Sequence, residues 1–526
     1  MPESPAARSL DPETLPGAEG IVDPDLLAGL EPSRHRELLA RALASPLPFD
    51  RQVFVNRTLR MEKIRHVGFD LDWTLADYHH EAMSELAFEL TLERLVDHFD
   101  YPRAILNAEF RGPFCRRGSI IDTAEGTVLK MNRHRYVGRA YHGRRYLQAS
   151  ERSTLYRREP INPSSKRFYF VDTLFELPEV NIFSELVELR NQGVELPSYQ
   201  EIFQHGRQAI DSIHADGTLK QRILADLDRY LPRDPQLTLA LVRLALGGRR
   251  LLLITNSEWY YTDALCRHLF DGTVPGIDSW RELFDIVVVE ARKPGFFRKT
   301  KPFVELDDEG HPQGEVTVPE WGKVYSGGSR ENLMELLDCP GEQVIYVGDH
   351  IYGDVVSSKL TSTWRTALVV RELEEEIRVR RRLSSQERHL RVLRAELSDF
   401  GQRMDDLQDV LALYQRLAKT SPKTGDAVDE SEHARSLANL QHELASARSE
   451  HKAMRQHAAR LQRRVSRAIN SYWGSLFKQG GNKSLFGSQV DDFACVYTSR
   501  VTNFLHYGSN HYFRVLHDAM MHETEP

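Results

Sequence analysis

Five short apolar runs, separated by longer segments, constrain the fold of this chain more than any other feature. They span residues 64–69, 250–255, 284–289, 343–347 and 367–370. Nearly continuous apolar character over such short stretches is typical of parallel strands that are buried on both faces. The segments between the runs are long enough for crossover helices. The pattern therefore predicts an α/β fold with a doubly wound parallel sheet.

Two carboxylates follow the first run directly, in the segment Asp70-Leu71-Asp72. In open α/β sheets, reactive groups collect at the carboxyl ends of strands. A carboxylate there can be a covalent nucleophile, and a second one can donate or remove a proton. We expect Asp70 to be the nucleophile and Asp72 the acid and base. Taken alone, the segment could equally well be a turn that carries two solvated carboxylates.

The next two strand ends carry groups that suit a phosphoryl group. Thr255, Asn256 and Ser257 follow the second run, and hydroxyl groups and backbone amides at such a position can hold phosphoryl oxygens. Lys293, shortly after the third run, would neutralise the nucleophile and the phosphoryl oxygens. Each feature alone is more often a strand-end turn or a solvated lysine.

The fourth strand end supplies candidate metal ligands in the Gly-Asp-x₄-Asp segment at 348–354. Magnesium prefers oxygen ligands, usually one or two carboxylates with water and phosphate oxygens. The expected Mg²⁺ ligands are Asp70, Asp72 (through its main chain), Asp349 and Asp354. All four segments occur after successive strands, which makes a chance combination improbable.

The order of the runs predicts the domain organisation. About 180 residues separate the first two runs, far more than one crossover needs. We therefore expect a catalytic core at 49–78 and 236–372, interrupted by an inserted cap at 79–235 that recognises the substrate. Residues 1–48, rich in Pro, Ala and acidic side chains, are expected to form a flexible arm.

The region 373–470 has a different pattern. Apolar residues recur at alternating spacings of three and four, first from Leu390 to Tyr414 and again from Leu437 to Ala468. Two heptad series with a polar segment between them predict an antiparallel coiled-coil hairpin. The aromatic-rich segment 471–526 is expected to pack back on the core.

Composition excludes several classes of protein. The chain has 69 Lys and Arg against 76 Asp and Glu, a formal net charge of −7. A protein that binds a nucleic acid polymer is usually basic. The sequence has neither an apolar stretch of the roughly 20 residues that a membrane helix needs nor the apolar core of a secretion signal. Four cysteines without metal or disulfide spacing are typical of reduced thiols, so we expect a cytoplasmic protein without a membrane partner.

The strand-end array resembles the haloacid-dehalogenase superfamily. Longer stretches are similar to one branch of it, the cytosolic purine 5′-nucleotidases that act on inosine and guanosine monophosphates. The stretches that carry this similarity are 53–57, 61–64, 68–75, 255–257, 291–294, 324–329, 348–354 and 474–477. The resemblance implies a haloacid-dehalogenase-like core with Mg²⁺ as cofactor, and an aspartyl-phosphate intermediate.

The same resemblance implies which residues of the inserted region recognise the nucleotide. Six residues are similar to, or stand in, the family's recognition segments: Phe175, Glu176, Arg207, Asp211, His214 and Lys220. Phe175 would stack on the base, and Lys220 would suit a phosphate. Arg207 and Asp211 lie four apart on one helix face, where an Arg–Asp pair is otherwise a common surface ion pair. Glu176 and Ala215 depart from the family, in which an Asn and an aromatic residue are expected.

These observations lead to one functional prediction with alternatives. We expect an Mg²⁺-dependent hydrolase of purine nucleoside 5′-monophosphates, with transfer of the phosphoryl group to another nucleoside also plausible, and a homo-oligomer, either dimer or tetramer. A phosphatase that acts on another phosphomonoester remains an alternative. So does a coiled-coil interaction protein with a vestigial core.

Overall fold

The computed structural model describes residues 32–44, 46–157, 161–162, 165–420 and 427–515. Most of the arm expected at 1–48 lies outside the described residues, but one helix, α1, spans Pro32–Leu43. The chain divides into two compact units. One consists of Met1–Glu374 with Leu476–Pro526, and the other of Glu375–Ser475.

The strands follow one another along the chain as a series of short segments. They are β1 (Phe54–Val55), β2 (Leu59–Arg60), β3 (His66–Phe69), β4 (Ser119–Asp122), β5 (Thr127–Met131), β6 (Val137–His142), β7 (Arg145–Tyr146), β8 (Phe168–Val171), β9 (Arg250–Ile254), β10 (Ile286–Val289), β11 (Phe303–Leu306), β12 (Pro312–Val316), β13 (Val324–Gly327), β14 (Val344–Gly348), β15 (Arg365–Val369), β16 (Lys478–Gln479), β17 (Asn482–Lys483), β18 (Val496–Thr498) and β19 (Tyr512–Phe513).

The helices that follow α1 are spread over both units. They are α2 (His80–His98), α3 (Ala149–Tyr156), α4 (Leu177–Asn191), α5 (Tyr199–Ala215), α6 (Thr218–Leu224), α7 (Leu227–Tyr230), α8 (Pro235–Leu246), α9 (Trp259–Phe270), α10 (Gly295–Arg298), α11 (Arg330–Leu337), α12 (Ser357–Thr361), α13 (Leu373–Arg382), α14 (Ser384–Thr420), α15 (Ala427–Ile469) and α16 (Leu485–Phe493). Short 3₁₀ segments lie at Phe49–Arg51, Met61–Lys63, Arg103–Asn107, Gly112–Phe114, Trp280–Leu283, Gly341–Gln343 and Val501–His506, and a π-helical turn at Ile351–Val356.

A ten-stranded sheet forms the centre of the larger unit, in the order β1-β18-β15-β14-β3-β9-β10-β13-β11-β12. The strands from β18 to β13 run parallel. The five apolar runs all became strands of this parallel part, so the prediction of an α/β fold with a parallel sheet is confirmed. The antiparallel edge strands β1, β11 and β12 were not predicted.

The order of the strands explains where a site can form. β3 pairs with β14 on one side and with β9 on the other. The chain leaves β3 toward β9 and later returns to β14, so a topological switch point lies between β3 and β14. Ligands of open α/β sheets bind outside the carboxyl ends of the strands at such a point.

Close packing between β3 and β14 depends on a glycine. Gly68 lies opposite Tyr346 in the register of the two strands. A Cβ atom on Gly68 would come within 2.8 Å of the Tyr346 ring. Tyr346 is completely buried in an apolar cluster with side chains such as Leu252, Phe297 and Trp364. Each such side chain stabilises the fold by about 1.5–3 kcal/mol through burial.

The segment between β3 and β9 contains its own sheet. Its five strands are antiparallel in the order β7-β6-β5-β4-β8. Helices α2, α4, α5 and α6 lie in the same stretch of chain. The stretch 79–235 lies between β3 and β9, and its role as a cap stays a prediction.

The smaller unit contains the region for which the heptad pattern was noted. Helices α14 and α15 pack against each other through Leu390, Leu393, Ala458 and Leu461, with Leu397 and Met454 alongside. The residues between the two helices, 421–426, lie outside the described part of the chain. Helix α15 begins at Ala427, before the second heptad series starts at Leu437.

The C-terminal segment contributes to the central sheet. Strand β18 runs parallel to β15 and antiparallel to β1. Leu505 is buried with Leu239 and Ala240 of α8. Residues 516–526 of this segment lie outside the described residues.

None of the helices in the described ranges combines the length and the apolar character that a membrane span requires. The homo-oligomer and the cytoplasmic location stay predictions.

Candidate active site

Asp70 lies directly beyond β3, at the switch point. Its backbone N–H donates to the carbonyl of Val347 (2.9 Å), which continues the pairing of β3 with β14. Its Oδ1 atom accepts from the N–H of Leu71 (2.8 Å). The chain then turns sharply, with Trp73 at a φ of 58°. The carboxylate is therefore held at the strand end, and the rest of the loop folds away from it.

Both carboxylate oxygens of Asp72 have hydroxyl donors. Tyr78 donates to Oδ1 (2.6 Å), and Ser257 donates to Oδ2 (2.6 Å). The Tyr78 hydroxyl also lies 3.0 Å from that of Tyr261. These contacts orient Asp72 while leaving it in contact with the cavity described below.

Lys293 joins the carboxylates that follow two different strands. Its Nζ atom lies 2.8 Å from Asp70 Oδ1 and 2.9 Å from Asp354 Oδ1. It also donates to the hydroxyl of Tyr346 (2.9 Å), which in turn donates to the carbonyl of Ile254. Burial alone would lower the pKa of Lys293, but Asp354 and Asp70 raise it well above its usual value. The lysine is therefore a buried permanent cation.

Asn256 holds the main chain of Lys293 from both sides. Its Oδ1 accepts from the N–H of Lys293 (2.6 Å), and its Nδ2 donates to the Lys293 carbonyl (3.1 Å). Asn256 was predicted to bind substrate. The structure also gives it a positioning role that strand-end spacing alone did not indicate.

Asp349 and Asp354 complete a buried acidic cluster with Asp70. Carboxylate oxygens from the three residues lie within 4.8 Å of one another. The N–H of His350 donates to Asp354 Oδ2 (3.1 Å). A Cβ atom on Gly348 would collide with the carboxylate of Asp354. The glycine of the Gly-Asp-x₄-Asp segment therefore leaves room for the second aspartate.

This cluster fits a hard divalent cation. Its donors are all oxygens, as Mg²⁺ requires. The Oδ2 atom of Asp349 is buried without a hydrogen-bond partner. Burial raises the pKa of Asp349 to about 7, although Arg117 opposes this increase. The carboxylate of Asp72 is not part of this cluster, and the main chain of Asp72 stays a predicted ligand.

A buried arginine supports the loop of Asp349. The Nη1 atom of Arg117 donates to the carbonyl of Asp349 (2.8 Å). Its Nε and Nη2 atoms donate to the two carboxylate oxygens of Glu372 (3.0 and 2.5 Å). The Glu372 pKa lies at about 2, because Arg117 outweighs the effect of burial. No sequence pattern indicated the contact between Arg117 and Asp349, since the two residues lie far apart in the chain.

One cavity of about 290 Å³ connects the strand ends with the inserted segment. Its wall contains the catalytic candidates Asp70, Asp72 and Lys293, the metal-ligand candidates Asp349 and Asp354, and the substrate-binding candidates Asn256, Ser257, Phe175, Glu176, Arg207, Asp211, His214 and Lys220. Thr255 is the one catalytic candidate that does not line it. Its side chain is fully buried, and its hydroxyl accepts from the N–H of Ser257 (3.1 Å).

The polar wall of the cavity centres on Arg207. Its Nη1 atom lies 3.1 Å from Glu176 Oε1 and 3.4 Å from Glu179 Oε2. Its Nε atom lies 3.9 Å from Asp211 Oδ2, and its guanidinium stacks 4.6 Å from the ring centre of Tyr169. Glu179 was not predicted. Its position one helical turn after Glu176 was the signal that could have identified it.

Part of the cavity wall is aromatic, with Phe175 and His214 among its lining residues. The ring of Phe175 meets the ring of Trp73 edge to face, with 6.1 Å between centroids, and that of His214 at 5.6 Å. Burial lowers the pKa of His214 to about 4, and Lys220 adds to the decrease. His214 is therefore a neutral, apolar partner of Phe175 at physiological pH.

Two further contacts, besides those of Arg117, join the core to the inserted segment. Lys220 forms an ion pair with Glu258, so its charge is already partly balanced. His350 Nε2 lies 3.0 Å from Asp172 Oδ1, next to the recognition candidates. Asp172, Glu258 and His350 were all absent from the sequence-based site.

Comparisons with known proteins show which family this chain belongs to. A sequence model of the 5′ nucleotidase family matches residues 53–525. The chain is 28% identical over 489 residues to 5′-nucleotidase domain-containing protein 2 of Homo sapiens. The aligned region covers 90% of the chain and 85% of the relative. The same protein of Rattus norvegicus is 28% identical over 489 residues, covering 90% of the chain and 80% of the relative.

A further relative is the 5′-nucleotidase domain-containing protein DDB_G0275467 of Dictyostelium discoideum. It is 26% identical over 516 residues, which cover 96% of the chain and 80% of the relative. The family match extends over most of the chain, including all the strand ends described above. This chain therefore belongs to the 5′ nucleotidase family, and it is a phosphoric monoester hydrolase.

Proposed function

We propose that this protein is an Mg²⁺-dependent 5′-nucleotidase that hydrolyses purine nucleoside 5′-monophosphates through an aspartyl phosphate on Asp70. The observation that carries the proposal is the shared cavity. Groups suited to phosphoryl transfer and groups suited to a nucleobase line the same space of about 290 Å³. A phosphatase for small phosphomonoesters would not need the second set.

Attack on phosphorus starts from Asp70. One carboxylate oxygen of Asp70 forms a bond to phosphorus while the bond from phosphorus to the 5′ oxygen breaks. Lys293, with Nζ 2.8 Å from Asp70 Oδ1, balances the negative charge that gathers around the phosphoryl group. The buried position of Lys293 strengthens this interaction, since water does not screen it.

Asp72 acts first as the general acid and then as the general base. In its protonated form it donates a proton to the departing 5′ oxygen, and the resulting carboxylate then removes a proton from the attacking water. That water attacks phosphorus and releases phosphate, which restores Asp70. Tyr78 and Ser257 keep the carboxyl group of Asp72 oriented during both steps.

The residues that would hold Mg²⁺ are Asp70, Asp349 and Asp354, with the main chain of Asp72. The chemistry it would supply is positive charge beside the phosphoryl oxygens. Thr255 would act from behind the cavity, by holding the backbone amide of Ser257. An alcohol that replaces water in the second step would give phosphoryl transfer instead of hydrolysis.

A nucleotide panel tests this function. We expect the wild type to release phosphate from inosine and guanosine monophosphates faster than from adenosine or pyrimidine monophosphates and sugar phosphates. Asp70→Asn should abolish turnover and retain nucleotide binding, because the change is nearly isosteric. Asp308→Asn, at an exposed side chain, is the matched control and should leave turnover unchanged.

The rival functions give different results in the same panel. Equal rates on all phosphomonoesters would indicate a phosphatase without purine specificity. Background rates on every substrate with Mg²⁺ present would contradict hydrolysis of these compounds and favour an interaction protein with a vestigial core.

A further inference from the structure

One buried carboxylate oxygen among the recognition candidates in the cavity wall has no hydrogen-bond partner. It is Oε2 of Glu176, which is buried. The other oxygen, Oε1, accepts from Arg207 (3.1 Å) and from the hydroxyl of Tyr169. Leaving a buried acceptor unpaired is costly, so a ligand that donates to it gains affinity. Glu176 lines the same cavity as Asp70, so this ligand is the substrate.

The surroundings of Glu176 make this wall of the cavity rich in acceptors. Arg207 is the guanidinium in the wall, and Glu176, Glu179 and Asp211 all approach it. Three carboxylates thus approach one guanidinium, whose hydrogen bonds to Glu176 and Glu179 come from Nη1. The carboxyl groups of this wall are complementary to a base edge that carries N–H groups.

We infer that Glu176 makes this enzyme selective for guanine, by accepting a hydrogen bond from the 2-amino group through Oε2. The inference rests on the proposed function and narrows its substrate. Guanine offers an N1–H and a 2-amino group on the same edge. Hypoxanthine lacks the amino group, and xanthine places a carbonyl oxygen in its position. Adenine lacks the N1–H.

The protonation state of Glu176 gives a second observable. Burial raises its pKa to about 8. The groups that act on it are Asp172, Glu179 and Asp211, which are acidic, and Arg207 and His350, which are basic. Without a donor to Oε2, the carboxyl group favours a proton at pH 7. Bound N–H donors favour the carboxylate, so guanine binding releases this proton.

The size of the effect follows from the hydrogen bond that is lost. A buried carboxyl group that loses its hydrogen bond to the ligand costs on the order of tenfold to hundredfold in affinity or rate. The wild type should therefore have a kcat/KM for guanosine monophosphate roughly tenfold or more above that for inosine monophosphate. Xanthosine monophosphate should be poorer still, since at this position its base carries a carbonyl oxygen and offers no N–H donor to Glu176.

The decisive variant is Glu176→Gln, compared with Glu195→Gln as a control at an exposed position of the same segment. We expect that in Glu176→Gln the kcat/KM for guanosine monophosphate is nearly equal to that for inosine monophosphate. The kcat/KM for xanthosine monophosphate should rise. The amide can turn its NH₂ group toward a carbonyl. The ratio of the kcat/KM values for two substrates, measured with the same protein sample, does not depend on the fraction of protein that is folded.

Binding provides a readout that does not need turnover. On the Asp70→Asn background, guanosine monophosphate should release a proton at pH 7, detected by calorimetry in two buffers of different ionisation enthalpy. Adding Glu176→Gln should remove this release. The same experiment with xanthosine monophosphate tests whether a protonated Glu176 donates to the ligand instead.

The outcomes separate this inference from the proposed function. Equal use of guanosine and inosine monophosphates by the wild type, or better use of xanthosine monophosphate, would overturn the role of Glu176 while the nucleotidase proposal stands. Absence of turnover on every nucleotide would overturn the nucleotidase proposal itself, and calorimetry would still decide the binding role of Glu176.

Discussion

The ammonium group of Lys293 lies 2.8 Å from Oδ1 of Asp70, although the two residues follow different strands of the sheet. Both are buried, so water screens their attraction weakly. The same ammonium group contacts Asp354, whose carboxylate belongs to the candidate metal cluster. One cation thus connects the expected nucleophile with the expected metal ligands.

Replacing Lys293 with Met should reduce kcat/KM by on the order of 10² to 10⁴. Methionine keeps the length of the side chain but removes the charge that stabilises the phosphoryl oxygens. Phosphate release at saturating and limiting substrate would measure the loss. Lys323→Met is the control, because Lys323 forms a surface pair with Glu305 and Glu320. Retention of most activity by Lys293→Met would contradict the role of this cation.

Gly348→Ala should weaken Mg²⁺ binding without unfolding the protein. The added Cβ would collide with the carboxylate of Asp354 and displace it from the cluster. We expect at least tenfold more Mg²⁺ to be needed for half-maximal activity, and a similar loss in direct calorimetric titration. Gly401→Ala is the matched control, since its Cβ would meet no other atom within 4 Å. Identical Mg²⁺ titrations of wild type and Gly348→Ala would contradict the prediction.

Removal of the metal should abolish turnover reversibly. Dialysis against a chelator would remove the proposed cation beside Asp70, Asp349 and Asp354, and added Mg²⁺ should restore phosphate release. Asp349→Asn should raise the Mg²⁺ requirement, because it removes a charged ligand from the cluster. Full activity of the chelated enzyme would exclude a divalent cation from the mechanism.

Stability should fall as the pH decreases below neutrality, and His66 should account for part of the decrease. Burial and the nearby Arg65 lower the pKa of His66 from 6.5 to about 4. The unfolded chain therefore binds a proton at a pH where the folded chain does not. The contribution of His66 to stability is therefore fully present above pH 6.5, and it is lost progressively as the pH falls to about 4.

The contribution of His66 between pH 7 and pH 5 is about 2 kcal/mol in the free energy of unfolding. Denaturant unfolding of the wild type and of His66→Gln at both pH values would measure it. Gln can keep the hydrogen bond to the carbonyl of Leu337. Equal pH dependence of the two proteins would show that His66 does not titrate as expected.

Much of the fold could be predicted because local sequence determines it. The five apolar runs are short and bounded by helix-length segments, and all became parallel strands. The strand-end residues then meet because the carboxyl ends of parallel strands share one edge. By contrast, β11 and β12 form an antiparallel extension whose outer strand is largely exposed. Without a continuous apolar run, these strands gave no comparable signal.

The contacts that hold the site could not be predicted in the same way. Arg117 and Asp349 are separated by 232 positions, and no local pattern connects them. Tyr346 reads as an ordinary core residue in an apolar run, yet its hydroxyl contacts Lys293. The sequence also does not show which way a side chain at a strand end points. Thr255 is buried behind the cavity, whereas Ser257 lines it.

Detection of the phosphorylated enzyme tests the central proposal most directly. Wild-type protein would be mixed with guanosine monophosphate and Mg²⁺, quenched in acid within one turnover, digested and analysed by mass spectrometry. We predict that the peptide containing Asp70 gains the mass of one phosphoryl group, and that this gain is absent from Asp70→Asn. Turnover without phosphorylation of this peptide, or phosphorylation at another residue, would contradict the account.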